Sequence, residues 1–260
     1  MKRLILSVSV ILIGLPTSTL LSQPRYSFEA ASIKAVPATT RVVLKDDASL
    51  IEDEGVTMET LVASSYREQA YRVIGPDWIK TAKFNISAKL PSGNSRDHLP
   101  EMMQTLLEDR FKLTVHREAR ELKVYALTVG SRGPKLTPRP NAYVAATDAM
   151  AFDPSAHPLT LDAYANNFLS LAVGSPVVDI TELKGEYMMN TSLLMKVVRE
   201  RRLAGYAAAK TGISDNSAVV DLTNSPVFDI VEALGLKLES RKLLLSVIVI
   251  DHVENTPSEN

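Results

Sequence analysis

The feature that most limits what this chain can fold into is a local pattern that comes round four times: an amphipathic helix, a strand, a short polar turn and a second strand. In the first unit Thr57 is placed to cap a helix with Met58, Leu61, Val62 and Ser65 on one face. Tyr71 to Ile74 follows, then the turn Gly75-Pro76-Asp77, then Phe84 to Leu90, where Phe84, Ile86 and Ala88 alternate with polar residues in the period of a half-buried strand. The second unit opens at Pro100, carries the stripe Met102, Met103, Leu106 and Leu107, and predicts strands over Phe111 to Val115 and Leu122 to Val129. The third runs from Thr160 through Leu169, with strands at Pro176 to Ile180 and Tyr187 to Leu193. In the fourth, Ser225 caps, Pro226 occupies the first helical position, Val227, Val231 and Leu234 face inward, and Gly235 ends the helix. Strands at Leu236 to Ser240 and Leu244 to Val253 follow, and the nearly unbroken apolar run from Leu243 to Ile250 predicts a central strand covered on both faces.

Between the second and third units the proline-rich stretch Gly133 to Pro140 and a weakly patterned, alanine-rich stretch to Pro158 read as a linker. The expected organisation is a first half over 23–137, a linker over 138–158 and a second half over 159–260, with an extra helix near 193–209. Helices over mixed or antiparallel sheets define an α+β fold built by duplication of the unit.

Ahead of these units lies Met1-Lys2-Arg3, the apolar run Leu4 to Leu15, Pro16 and Thr17-Ser18-Thr19, the layout of a signal peptide over 1–22. The run is shorter than the roughly 20 residues that span a bilayer, so the expectation is export and cleavage, with membrane attachment only if the segment is retained. Without cysteine the chain forms no disulfide and lacks the lipoprotein attachment residue, leaving packing to stabilise it. Lys and Arg number 29 against 30 Asp and Glu, a balance without the basic surplus of a nucleic-acid binder.

The chemistry-bearing residues are sparse. Four histidines, His98, His116, His157 and His252, include no His-x-x-x-His pair, so no metal site is expected, and neither a phosphate loop nor a dinucleotide fingerprint calls for a cofactor. His116, Asp251 and His252 are the most enzyme-like group, since acids and bases at strand ends can converge, but adjacent strand residues face opposite ways and no nucleophile turn completes a set. Around His116, the charged run reads as a solvent-facing strand end in which Glu118 pairs with Arg120 or Arg117 across a neighbouring strand. Trp78, the single tryptophan, sits in a turn, either closing the first unit's core or binding a carbohydrate or a partner. Arg199, Arg201 and Arg202 form a basic helix face, solvated or in contact with a partner.

Several segments resemble a large family of exported acidobacterial proteins that share a domain of unknown function and occur as many paralogues. The resemblance is carried by Phe28-Glu29-Ala30-Ala31-Ser32-Ile33-Lys34, Gly75-Pro76-Asp77-Trp78-Ile79, Leu106 to Leu113, His116-Arg117-Glu118, Gly133-Pro134-Lys135-Leu136, Pro176-Val177-Val178-Asp179, Leu234 to Glu239 and Ile250 to Glu254. The chain departs from it where a Thr-Gly-Leu turn before an aromatic-acidic strand is usual and Thr181-Glu182-Leu183 and Tyr187-Met188-Met189 stand instead. The resemblance implies a secreted protein with no assigned activity, related domains sometimes following membrane metalloprotease modules of the beta-lactam-sensor type. The fourth unit is also similar to short N-terminal modules of secretins and TonB-dependent receptors, which bind protein partners. The expected function is a non-enzymatic interaction or sensory module outside the cytoplasm with a protein partner in the bacterial cell envelope, the alternative being a secreted hydrolase or small-ligand-binding enzyme.

Overall fold

The computed structural model describes residues 25–47, 49–93, 96–139, 156–211 and 225–258. The expected signal segment 1–22 and most of the 138–158 linker lie outside the described residues. Ten strands are seen: β1 (Ala30–Val36), β2 (Val43–Asp46), β3 (Leu50–Thr57), β4 (Val73–Ile74), β5 (Lys83–Lys89), β6 (Thr114–Val129), β7 (Ala156–Leu159), β8 (Val177–Asp179), β9 (Tyr187–Asn190) and β10 (Leu236–His252). The helices are α1 (Met58–Ser65), α2 (Leu99–Phe111), α3 (161–173), α4 (Ser192–Thr211) and α5 (Pro226–Ala233). One sheet runs β1-β5-β3-β2, a second β4-β10-β6-β8, and β7 pairs with β9, so the fold is α+β with antiparallel and mixed sheets.

Local chemistry sets the helix starts, at the expected caps Thr57 and Ser225 and also at Thr160. The Thr57 hydroxyl accepts from the Thr60 amide at 3.2 Å, that of Thr160 from Ala163 at 3.1 Å and that of Ser225 from Val227 at 3.4 Å. Gly235 stops α5 at φ +71°, with its α-carbon against the Gly133 carbonyl where no side chain fits. Gly55, at φ +66° and backed by the Arg41 carbonyl, lets β3 shift register against β5 between Asp53 and Val56. The departure at Glu182 has a backbone consequence: this residue sits at φ +61°, the left-handed region that the usual glycine adopts without strain.

Several expected boundaries need correction. Phe111 belongs to α2, not to a strand; Lys112 takes the left-handed conformation without being glycine and closes the helix, while the Phe111 ring packs edge-on against Phe84 at 5.0 Å. Of Tyr71 to Ile74, Tyr71 and Arg72 lie in a 3-10 turn and only Val73–Ile74 is strand. The charged stretches taken as turns inside the second and fourth units are extended chain: β6 is one strand of 16 residues and β10 one of 17, paired antiparallel from Leu236 opposite Val129 to His252 opposite Thr114. The middle stays extended because each strand supplies the other's ladder bonds, with no glycine or proline to turn the chain. Of the run expected to be covered on both faces, only the C-terminal end is buried: Val247 and Ile248 are fully enclosed, whereas Leu244 is 73 % exposed. The four segments therefore do not build four equivalent hairpins. β4 and β5 join different sheets, as do β8 and β9.

The second sheet is symmetric in its order. β4, from the first half, lies parallel on β10, and β8, from the second, lies parallel on β6. Two cores result, one at each end of the β6–β10 ribbon. The first packs α1, α2 and β5 against Ile248 and Ile250; the second packs α3, β8 and α5 against Leu127, Leu236 and Leu238. Each core thus takes residues from both sides of the expected linker. In the second core α3 widens to a π-helix over Tyr164–Leu169, and the Tyr164 hydroxyl is buried with no protein partner, burial pushing its pKa up to about 12.

Candidate functional site

Between the two cores the β6–β10 ribbon crosses open ground. On one face Glu121, Lys123 and Lys242 are exposed beside Leu244, and Lys242 donates to Glu121 at 2.9 Å. On the other face Arg120 pairs with Glu118 along the same strand, and Glu239 accepts from Lys237 at 2.8 Å and from Arg241. The guanidinium of Arg120 holds the Glu118 carboxyl below its usual range, and hydrogen bonds from Lys237 and Arg241 do the same for Glu239. Exposed pairs of this kind contribute little to stability, so they solvate the ribbon more than they stabilise it.

The ribbon's outer edges carry little. β8 covers β6 only at Tyr125, Ala126 and Leu127, and β4 covers β10 only at Ile248 and Val249. Among the described residues, no strand pairs with the outer edge of β6 from Thr114 to Val124 or with that of β10 from Leu236 to Val247. Unpaired edges present rows of backbone donors and acceptors ready for another strand.

At one end of the ribbon the expected polar group is partly assembled. Asp251 is the extra residue of a bulge, since Ile250 pairs with Val115 and His252 with Thr114. That bulge brings the Asp251 carboxylate to 2.8 Å from Nδ1 of His116, and Glu118 lies 3.6 Å from Nε2. The hydrogen bond to Asp251 raises the His116 pKa above 6.5. His252 pairs opposite Thr114 and does not join them. Both partners of the His116–Asp251 pair are about half exposed, and the position beyond Nε2 is taken by a carboxylate instead of a hydroxyl nucleophile. The bulge is what sequence reasoning missed, because a strict alternation sets neighbouring side chains apart.

Trp78 lies in a 3-10 turn, Asp77–Lys80, and packs against the first core, with one side open toward Val253, Glu254, Asn255 and Thr256. The three arginines of α4 separate by role. Arg201 donates to the Ala172 carbonyl at 2.7 Å, closing the C-terminus of α3 above Gly174, while Arg199 and Arg202 stay on the exposed face. The larger cavities lie elsewhere. One of about 870 Å³ opens between β1, β5 and α2, lined by Phe28, Lys89, Thr105 and Arg110; another of about 690 Å³ lies between the 129–135 loop and α5, lined by Arg132, Lys135, Asp229 and Glu232. Among the described residues no group of three or more His, Asp or Glu side chains is arranged to hold a metal ion, and no helix is long and apolar enough to cross a membrane.

No curated protein matches the chain, and no solved structure does. A family described as protein of unknown function (DUF3738) matches residues 59–253, a span that contains the whole β6–β10 ribbon, the second core and the first core apart from Val56, Met58 and the N-terminal residues packed on it. The chain belongs to the DUF3738 family.

Proposed function

We propose that this protein is a non-enzymatic interaction module that works outside the cytoplasm, engaging a protein partner of the bacterial cell envelope by strand addition on the β6–β10 ribbon. The observation that carries the reading is the pair of outer edges that no strand among the described residues pairs with, on a ribbon that is well packed at both ends. Strand addition uses main-chain bonds for affinity and flanking side chains for selectivity, and a ribbon anchored at both ends supplies both without reorganising. The leader-like layout of residues 1–22 supports the location. The exposed face of α4 around Arg199 and Arg202 is a second contact surface available to the same partner. The hydrolase alternative finds less support, because the His116–Asp251 pair is exposed and points at Glu118.

The test is capture from the native envelope fraction under mild crosslinking, comparing the wild type with Leu244→Lys/Ser246→Lys on the ribbon and with Arg199→Glu/Arg202→Glu on α4. A partner retained by wild type and lost with the ribbon variant supports strand addition, since lysines on an edge strand oppose pairing. Failure of the wild type to capture anything contradicts the reading and turns attention to the cavities.

A further inference from the structure

We propose that the outer edge of β6 pairs antiparallel with the same edge of a second copy of this chain, about a twofold axis through Ala119; the inference rests on the reading of the ribbon as a docking element. Two independent features of the edge share that centre. The first is its extent. At one end the edge begins at Thr114, just after the left-handed Lys112 that closes α2; at the other it ends at Val124, because the Tyr125 amide already bonds to the Pro176 carbonyl at 2.8 Å and β8 takes over. Ala119 lies midway between Thr114 and Val124.

The second feature is charge. The edge reads Arg117-Glu118-Ala119-Arg120-Glu121, so an antiparallel copy centred on Ala119 sets Arg117 opposite Glu121 and Glu118 opposite Arg120, each with its symmetry mate. Directly opposite residues of antiparallel strands have their Cβ atoms about 4.5–5.5 Å apart and interact as pairs. The same charges reject the alternatives. In-register parallel pairing sets every charge against its like. Moving the axis to Arg120 sets the two Arg120 side chains face to face and Arg117 against Lys123; moving it to Glu118 opposes the two Glu118 carboxylates.

The outer edge of β10 behaves in the opposite way. Its midpoint falls between Arg241 and Lys242, so self-pairing there opposes two cations. Charges on an edge normally discourage any added strand. On β6 their alternating, self-complementary order converts that general discouragement into selection for one partner, one direction and one register, which is the way specificity is built from repulsion against alternatives. Within one copy Arg120 pairs with Glu118 and Glu121 with Lys242 on the surface, while Arg117 donates to Glu68 at 2.5 Å and to the Tyr66 carbonyl at 3.2 Å, so its pairing with Glu121 of the second copy shares or replaces those contacts.

Sedimentation equilibrium on the protein purified from cells expressing the full chain is the test. Wild type is expected to be a dimer that weakens as salt rises. The all-basic edge E118R/E121R and the all-acidic edge R117E/R120E should each raise the dimer dissociation constant by at least about tenfold, the sum of several reversed cross-strand pairs. Mixed at equal concentration, the two variants should form a one-to-one heterodimer, a rescue that a merely structural role for these residues does not produce. Should either charge variant fail to fold by circular dichroism, Ala119→Cys decides: in a chain without cysteine it should form a disulfide dimer on mild oxidation, while Ser246→Cys, opposite Ala119 on β10, should not. A monomeric wild type, no association on mixing, or equal crosslinking at both cysteines overturns the proposal. Envelope capture by a protein that stays monomeric contradicts the dimer and leaves the interaction reading standing; a dimer with no envelope partner does the reverse.

Discussion

The same two strands behave as core at their ends and as surface in their middle. At one end Ile248 and Ile250 are enclosed by α1, α2 and β5, at the other Leu236 and Leu238 by α3 and α5, and between them Leu244 stands 73 % exposed among paired charges. The difference shows that strand continuity does not require a continuous core. Two separate cores suffice when each holds one end of a shared ladder, and the part between is free to serve contacts outside the chain.

Truncating the same kind of side chain along β10 breaks this comparison most sharply. Ile248→Ala and Leu238→Ala should each lower the unfolding free energy by about 2–5 kcal/mol, whereas Leu244→Ala should change it by under about 0.5 kcal/mol, read from urea denaturation at constant m. If Leu244→Ala matches the other two, the middle is covered. A smaller effect, of opposite sign, is expected at the second core's periphery: Glu182→Gly should add about 1 kcal/mol by relieving the left-handed backbone at φ +61°. Tyr164→Phe should also stabilise, by about 1 kcal/mol, because its hydroxyl is buried without a protein partner; a loss of stability would reveal a partner for that hydroxyl.

Smaller still are the charges of the ribbon itself. Lys242→Ala should leave the thermal midpoint within about 1 °C of wild type, given the modest contribution of an exposed pair. His116 sharpens the contrast through pH. Its pKa is raised in the folded protein by Asp251, so the pair's contribution is fully present below the ordinary value of 6.5 and is lost as pH rises through the folded value above it. An NMR titration should therefore place the His116 midpoint above 6.5 in wild type and lower it in Asp251→Asn.

Much of the fold was legible in the sequence wherever one residue type dictates one local geometry. Thr57 and Ser225 cap the helices they were expected to cap, and Gly235 ends α5. What was not legible arose from partners distant along the chain. Lys112 ends α2 without glycine because helix closure and the packing of Phe111 on Phe84 outweigh its left-handed strain. The charged run from His116 looked like the end of a strand because polarity alone does not distinguish a strand end from the middle of a strand whose ladder lies more than a hundred positions away. Strands β1, β2 and β3, ahead of α1, form a sheet whose register depends on the later β5, so nothing local marks it as one body. At the candidate site, His116 and Asp251 meet through a bulge that no periodicity signals, and the three arginines of α4 looked alike until Arg201 was seen to hold the Ala172 carbonyl.

Amide hydrogen exchange along the ribbon, resolved by residue in dilute solution, tests the central claim most directly. A continuous ribbon with bare edges predicts strong protection throughout the two ends and alternating protection through the middle, amides directed at the neighbouring strand slow and those directed outward fast. Uniformly fast exchange from His116 to Val124 would show that the middle is not paired strand; uniformly slow exchange in the dilute monomer would show that its edge is already occupied.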